Sequence, residues 1–231
     1  MIPIRDTIRA RSFSVVNWLF ILANIVVFLY ESSLDRAQVW GFVTTFGLIP
    51  ASIDPTNPFT WYPFLTHMFL HGGWFHLISN LWILFIFGDN VEDRMGSGAY
   101  LVFYLLGGIA AALLQSWITT NPTIPTVGAS GAIAAVMGAY VLFYPRARVL
   151  TLIPIVFIPW LAELPALVFL GIWFISQLYS GFASLSLPAE QWGGVAWWAH
   201  IGGFIFGLLL ARLFVTRPRR NYFDGPYPPL P

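Results

Sequence analysis

The 231-residue chain has no cysteine, no lysine and few charges of either sign, and each shortage removes a class of function. Without cysteine there is no disulfide, no thiol nucleophile and no thiolate metal site, so the redox compartment leaves no trace. A net charge of +1 argues against a nucleic-acid partner. Charged residues make up only 9% of the chain, against roughly a quarter in soluble domains, while 58% is hydrophobic and the mean hydropathy is +0.73. That balance belongs to an integral membrane protein. Internal repeats are also lacking, which weakens a transporter built on inverted halves.

What the chain does have is a series of apolar runs. They cover about residues 12–30, 74–88, 99–118, 128–144, 160–180 and 195–215, with most of the Pro, Asp and Arg between them. The expected fold class is therefore all-α, a bundle of six transmembrane helices. The first run follows Arg5, Arg9 and Arg11 but is long for a signal peptide and has no small-x-small cleavage site, so it is expected to be retained. All eleven basic residues are Arg, and nine of them lie before the first span, after the fourth at Arg146 and Arg148, and at the close of the last at Arg212, Arg217, Arg219 and Arg220. This placement predicts both termini in the cytoplasm. Glu31, Asp35 and Asp54 outnumber Arg36 between the first two spans, as suits an external loop. That segment, 32–73, also carries Trp40, Phe42, Trp61, Tyr62 and Phe64, a mixture suited to the lipid–water interface. The expected organisation is an N-terminal cytoplasmic tail over 1–11, one membrane domain over 12–216, and a disordered, Pro-rich cytoplasmic tail over 217–231.

The fourth run is short. From Gly128 to Phe143 is 16 residues, about 24 Å of helix against roughly 30 Å of hydrocarbon. The helix must start inside the membrane, and the preceding "NPTIPT" is non-helical backbone that needs protein or water around it. Ser130 then sits in the first helical turn, where free N–H groups and the helix dipole favour an anion.

Three polar side chains fall at one depth. Measured along their helices from the cytoplasmic boundary, Ser130 lies about 22 Å up, His200 about 18 to 25 Å and His76 about 20 Å. Ala199, Gly203 and Gly207 form a row of small residues on the sixth span, and Ser130, Ala134 and Gly138 form another on the fourth. Such rows let backbones approach closely, which brings a hydroxyl and an imidazole from separate helices within reach of one another. In that arrangement Ser130 is a nucleophile and His200 its base. The Ser130 N–H, with His76 and Asn80 spaced i and i+4 on one helical face, supplies donors for an oxyanion. Glu163, the one carboxylate inside a span, lies near the cytoplasmic end of the fifth, so the chemistry is a dyad. Tight helix packing with incidental polar atoms is the competing account of these rows.

His67, His71 and His76 invite a metal reading, but there is no HExxH and no carboxylate near them, so no metal is expected. His67 and His71 are instead expected to hydrogen-bond the loop above the site. Gln115 and Gln177 are expected to make interhelical hydrogen bonds, and Glu163 to pair with Arg146 or Arg148, with no catalytic part for any of them.

In "GASG" around Ser130, "AHIGGFIFG" around His200, and "HLISN" with His76 and Asn80, the sequence resembles the rhomboid intramembrane serine proteases. "THMFLHGGWFH" and "EDRMGSG" fit the same pattern, and the likeness runs from about residue 60 to 215. Gly128, Gly131, Gly203 and Gly207 are the motif glycines. The resemblance implies a six-helix fold with a water-filled cavity opening outward, no cofactor, and hydrolysis of transmembrane segments of other membrane proteins near the outer face. It also implies a lateral gate between the second and fifth spans. Two features depart from the family's better-known members. Ala134 stands where a Tyr one turn after the serine supports the base, leaving Trp197 or Trp198 to orient His200, and the Trp–Arg pair of the outer loop is missing. The expected location is the cytoplasmic membrane of a prokaryote. Two other classes compete: an inactive rhomboid-like protein that binds membrane helices, and a small transporter that uses the start of the fourth helix as an anion site.

Overall fold

A computed structural model describes residues 1–155, 158–186 and 194–216. Each of the six apolar runs carries a helix. In chain order the helices are α1 (Val15–Ser33), α2 (Arg36–Phe46), the single turn α3 (Pro63–Thr66), α4 (Trp74–Met95), α5 (Ser97–Ile118), α6 (Ser130–Phe143), α7 (Ala166–Ser184) and α8 (Trp197–Leu210). Helices α1, α5 and α7, and α8 with its extension to Phe214, are long and apolar enough to cross a membrane. Helix α4 and the short helical turns before it form a fifth candidate, bent by 83°. Helix α6, at 14 residues, is shorter than a span.

That short helix is the centre of the bundle. Residues 131–141 are all buried, and α6 packs against α4, α5 and α8. With Ala or Gly at six of its fourteen positions, α6 has little side chain on its α8 face to hold that neighbour off, so dispersion between backbones replaces interdigitating side chains there. A methyl group on Gly203 would run into the carbonyl of Gly131, and one on Gly207 into the carbonyl of Ala135. Gly138 meets the backbone of Phe204 and Leu208 in the same way. The expected row on α8 is therefore in the seam, but its partner row is Gly131, Ala135 and Gly138. Ser130 and Ala134 stand one residue to the side, because the contact follows alternating four- and three-residue steps around α6.

Helix α1 is held by a carboxylate from another helix. The first-turn N–H groups of Val16 and Asn17, which have no partner within α1, donate to Glu92 of α4 at 3.1 and 2.7 Å. Ser97 at the start of α5 donates to the same carboxylate at 2.6 Å. The negative charge also faces the positive end of α1. Asn17 continues the junction, accepting from the Tyr100 hydroxyl at 2.8 Å and donating to the Leu84 carbonyl at 3.3 Å.

The all-α expectation is corrected by a three-stranded antiparallel sheet, β1 (Ile2–Asp6), β2 (Arg148–Ile155) and β3 (Ile158–Pro165), in the order β1-β2-β3. The segment read as an N-terminal tail supplies its first strand. The fifth apolar run begins at about residue 160, but α7 begins at Ala166, because Pro159 and Pro165 remove N–H groups that a helix through this stretch would need. Glu163 accordingly lies on β3, where it pairs with Arg148 at 3.7 Å on an exposed face. Trp82 Nε1 donates to the Pro3 carbonyl at 2.7 Å, while Asn90 Nδ2 donates to Asp6 at 3.0 Å. Strand β1 thus runs alongside α4, in the same direction, over eight residues of that helix, about 12 Å. The expectation for residues 217–231 lies outside the described residues.

Candidate active site

The site is built at the end of the bundle away from the sheet, where α6 starts. Chain 126–129 approaches as irregular backbone tied down by neighbours. Thr126 exchanges backbone hydrogen bonds with Leu48 at 2.8 and 3.0 Å, and the Gly128 N–H donates to the His67 carbonyl at 2.9 Å. Gly128 has φ +124°, a conformation that disfavours any side chain. Space forbids one as well: a methyl group there would lie 2.7 Å from His76 Nε2 and 3.7 Å from Ser130 Oγ. The glycine therefore lets the His76 imidazole come down beside the serine, and both atoms border the same small space. Ser130, the first residue of α6, is half-exposed, whereas the eleven residues after it are buried.

His76 and Asn80 occupy successive turns of α4. The Gly72 N–H donates to His76 Nδ1 at 3.3 Å. A nitrogen that accepts carries no proton, so the proton of neutral His76 is on Nε2, the atom that faces Gly128 and Ser130. Asn80 is buried, and its Nδ2 has no hydrogen-bond partner among the described residues. A buried amide donor left unsatisfied costs stability and calls for an explanation, and this one stands one turn from His76.

His200 comes from α8. Gly131, next to Ser130, lies against Ala199, next to His200: a methyl on Gly131 would be 3.6 Å from both the Ala199 Cβ and its carbonyl oxygen. Serine and histidine thus flank one backbone contact between α6 and α8. Gln115 of α5 accepts from the Ala199 N–H at 3.2 Å and fixes the first turn of α8. His200 Nδ1 meets Gln177 Oε1 of α7 at 2.8 Å. The interhelical hydrogen bonds expected of both glutamines are present, and their partners, which the sequence does not reveal, are His200 and the residue before it. The missed signal is an uncharged amide inside an apolar helix, about 17 Å along α7 from its start and so close to the depth of the histidine. Of the two tryptophans expected beside His200, Trp197 packs edge-on to its ring at 6.0 Å between centroids. Trp198 instead turns toward Phe182 at 5.4 Å. Trp173 of α7 covers the His200 ring from another side at 5.9 Å.

The remaining histidines support this layer. His67 Nδ1 bonds the Pro63 carbonyl at 2.8 Å, and its own carbonyl holds Gly128. The His71 N–H donates to Glu31 at 3.1 Å, and its ring lies 5.0 Å from that of His76.

The chain is similar to proteins of one family. Residues 58–217 match the rhomboid domain family. The chain is 27% identical over 226 residues to the rhomboid protease GlpG of Salmonella paratyphi A, covering 95% of this chain and 70% of that protein. It is 42% identical over 82 residues to the chloroplastic rhomboid-like protein 11 of Arabidopsis thaliana, covering 36% and 29% of the two chains. It is also 27% identical over 146 residues to the mitochondrial rhomboid protein 1 of Saccharomyces cerevisiae, covering 61% and 38%. The matched stretches span about a third of the length of these last two relatives.

Proposed function

The chain belongs to the rhomboid family, and from that premise we propose that it is an intramembrane serine endopeptidase acting on transmembrane segments of other membrane proteins. In this reading Ser130 Oγ attacks the scissile carbonyl carbon while His200 Nε2 removes its proton. The oxyanion that forms is met by the Ser130 N–H, His76 Nε2–H and Asn80 Nδ2, donors set in place before charge develops. Collapse of the tetrahedral intermediate breaks the C–N bond, His200 returns the proton to the leaving amine, and water then hydrolyses the acyl-enzyme by the same steps in reverse order.

The single observation that carries the reading is the geometry at Gly128, where the protonated edge of His76 and the hydroxyl of Ser130 share one space. Six helices with both termini in the cytoplasm, in the cytoplasmic membrane of a prokaryote, complete the proposal, with the bilayer and membrane-protein substrates as partners. Such a protein reacts with a fluorophosphonate at Ser130. The expected result is labelling of the wild-type protein and none of Ser130→Ala or His200→Ala, with loss of reporter cleavage in both. Absence of wild-type labelling together with retained capture of membrane helices would instead identify a binding protein without peptidase activity.

A further inference from the structure

Gln177 belongs to a chain of hydrogen bonds in which each proton has only one place to be. The chain ends at the backbone carbonyl of Trp173, which accepts and cannot donate. Ser176 donates its hydroxyl proton to that carbonyl at 2.6 Å, leaving the hydroxyl oxygen free to accept. The Gln177 amide NH2 lies 3.0 Å from that oxygen and 3.3 Å from the Trp173 carbonyl. Both of these neighbours require a donor from Gln177, so the nitrogen points toward them and Oε1 points the other way. There it meets His200 Nδ1 at 2.8 Å. An amide oxygen can only accept, so Nδ1 must carry the proton, and Nε2 is left with a lone pair.

From this we infer that Trp173, Ser176 and Gln177 of α7 form a relay that sets the tautomer of His200, making Gln177 a positioning residue in the role a carboxylate fills in a Ser-His-Asp triad. The inference rests on the peptidase reading for its consequence, since only a lone pair at Nε2 lets His200 take the Ser130 proton. Free imidazole favours the opposite tautomer, with the proton on Nε2, so without the relay most of the protein would present a donor to the serine. Gln177 is buried, a setting in which a carboxylate would call for the imidazolium form of His200 as its paired cation and a neutral amide does not. When His200 becomes an imidazolium it keeps its Nδ1–H bond to Oε1, and the Nε2 proton passes on to the leaving amine. Nothing moves on the Gln177 side. The support that Ala134 cannot give is thus supplied from a different helix by hydrogen bonding.

The tests are Gln177→Met, which keeps the length of the side chain and removes its polar atoms, and Gln177→Glu, which keeps the acceptor and adds charge. The full-length protein is assayed in detergent on a transmembrane reporter. Gln177→Met is expected to lower kcat by about 10- to 100-fold, with KM changed less than about twofold and the melting temperature held. Gln177→Glu is expected to raise the apparent pKa of the acid limb of kcat/KM, because an anion beside Nδ1 favours the imidazolium. A residue that only packs α7 against α8 would change melting and leave the acid limb in place, and that result overturns the inference. Tautomer state gives a readout independent of catalysis. In 15N-histidine spectra of the four-histidine protein, with the His200 signal identified by its loss in His200→Asn, the wild type is expected to show a protonated Nδ1 and Gln177→Met a protonated Nε2. A wild-type His200 protonated on Nε2 refutes the relay whether or not the protein cleaves anything, whereas failed fluorophosphonate labelling with the Nδ1–H tautomer intact counts against the peptidase reading alone.

Discussion

Tyr140 and Asp6 lie 134 positions apart in sequence and share a hydrogen bond of 2.5 Å, which fastens the first strand of the sheet to the central helix. Asp6 also accepts from Asn90 of α4. Burial, with the like charge of Asp89 adding to it, pushes the Asp6 carboxyl up to about 7 despite the Tyr140 bond, which favours the ionised form. The sheet therefore closes its N-terminal edge on a group that resists ionisation at neutral pH.

This fixes the sign of a pH effect. A carboxyl whose folded pKa lies above its unfolded value near 4 binds more protons in the folded state between about pH 4 and 7. Its contribution is fully present below pH 4 and is lost as the pH rises through 7. The melting temperature in detergent should fall from pH 5 to pH 8, and Asp6→Asn should flatten that slope while keeping Tyr140 and Asn90 supplied with a partner. A slope unchanged in Asp6→Asn would mean that another group titrates.

Much of the helical architecture is legible in the chain because a run of apolar residues long enough to span leaves few alternatives. The sheet is not. Residues 148–165 are as apolar as a span, and although β2 pairs with the nearby β3, its other partner is Ile2–Asp6, almost 150 residues upstream, where no local pattern signals one. The small-residue rows show that α6 and α8 can approach, but choosing Gly131 over Ser130 as the contact requires the rotation of each helix about its axis, which a spacing of four leaves open by one residue. The same rotation decides that Gln177 meets His200, so an amide visible as unusual in its span carries no visible partner.

The α6–α8 seam has no room for a side chain. Gly203→Ala would set a methyl against the Gly131 carbonyl, and because backbone on both sides would have to move, the cost should be at the upper end of the usual 1–3 kcal/mol for overpacking, or about that much again. Gly171 on α7 has open space around its missing Cβ, so Gly171→Ala is the matched control and should melt at or slightly above the wild-type temperature. Equal melting of the two variants would show that α6 and α8 do not touch as described.

Glu92 binds three donors from the starts of two helices, and removing it leaves the Val16 and Asn17 N–H groups without their acceptor. Glu92→Ala should cost about 2–3 kcal/mol, the range for a buried charged acceptor. Glu92→Gln can still accept with one oxygen and should recover part of it. Thermal unfolding of both variants in detergent separates the loss of charge from the loss of hydrogen bonds, and a fully stable Glu92→Ala would remove the clamp from the account of α1.

The two α4 side chains near Ser130 differ in what they already hold, and that difference predicts how they should fail. His76 has Nδ1 occupied by the Gly72 N–H and presents Nε2 to the space above Gly128. Asn80 is buried with an idle NH2. A donor used only when the oxyanion forms contributes to the transition state and little to substrate binding, so His76→Ala and Asn80→Ala should each lower kcat by about 10²- to 10³-fold with KM nearly unchanged. Their stabilities should diverge. Asn80→Ala discards an unsatisfied buried polar group and should melt no lower than the wild type, while His76→Ala empties the space beside Gly128 and loses packing against His71, so it should melt lower. An Asn80→Ala protein that is both less stable and fully active would place that amide among the structural hydrogen bonds and leave His76 and the Ser130 N–H as the only donors to the oxyanion.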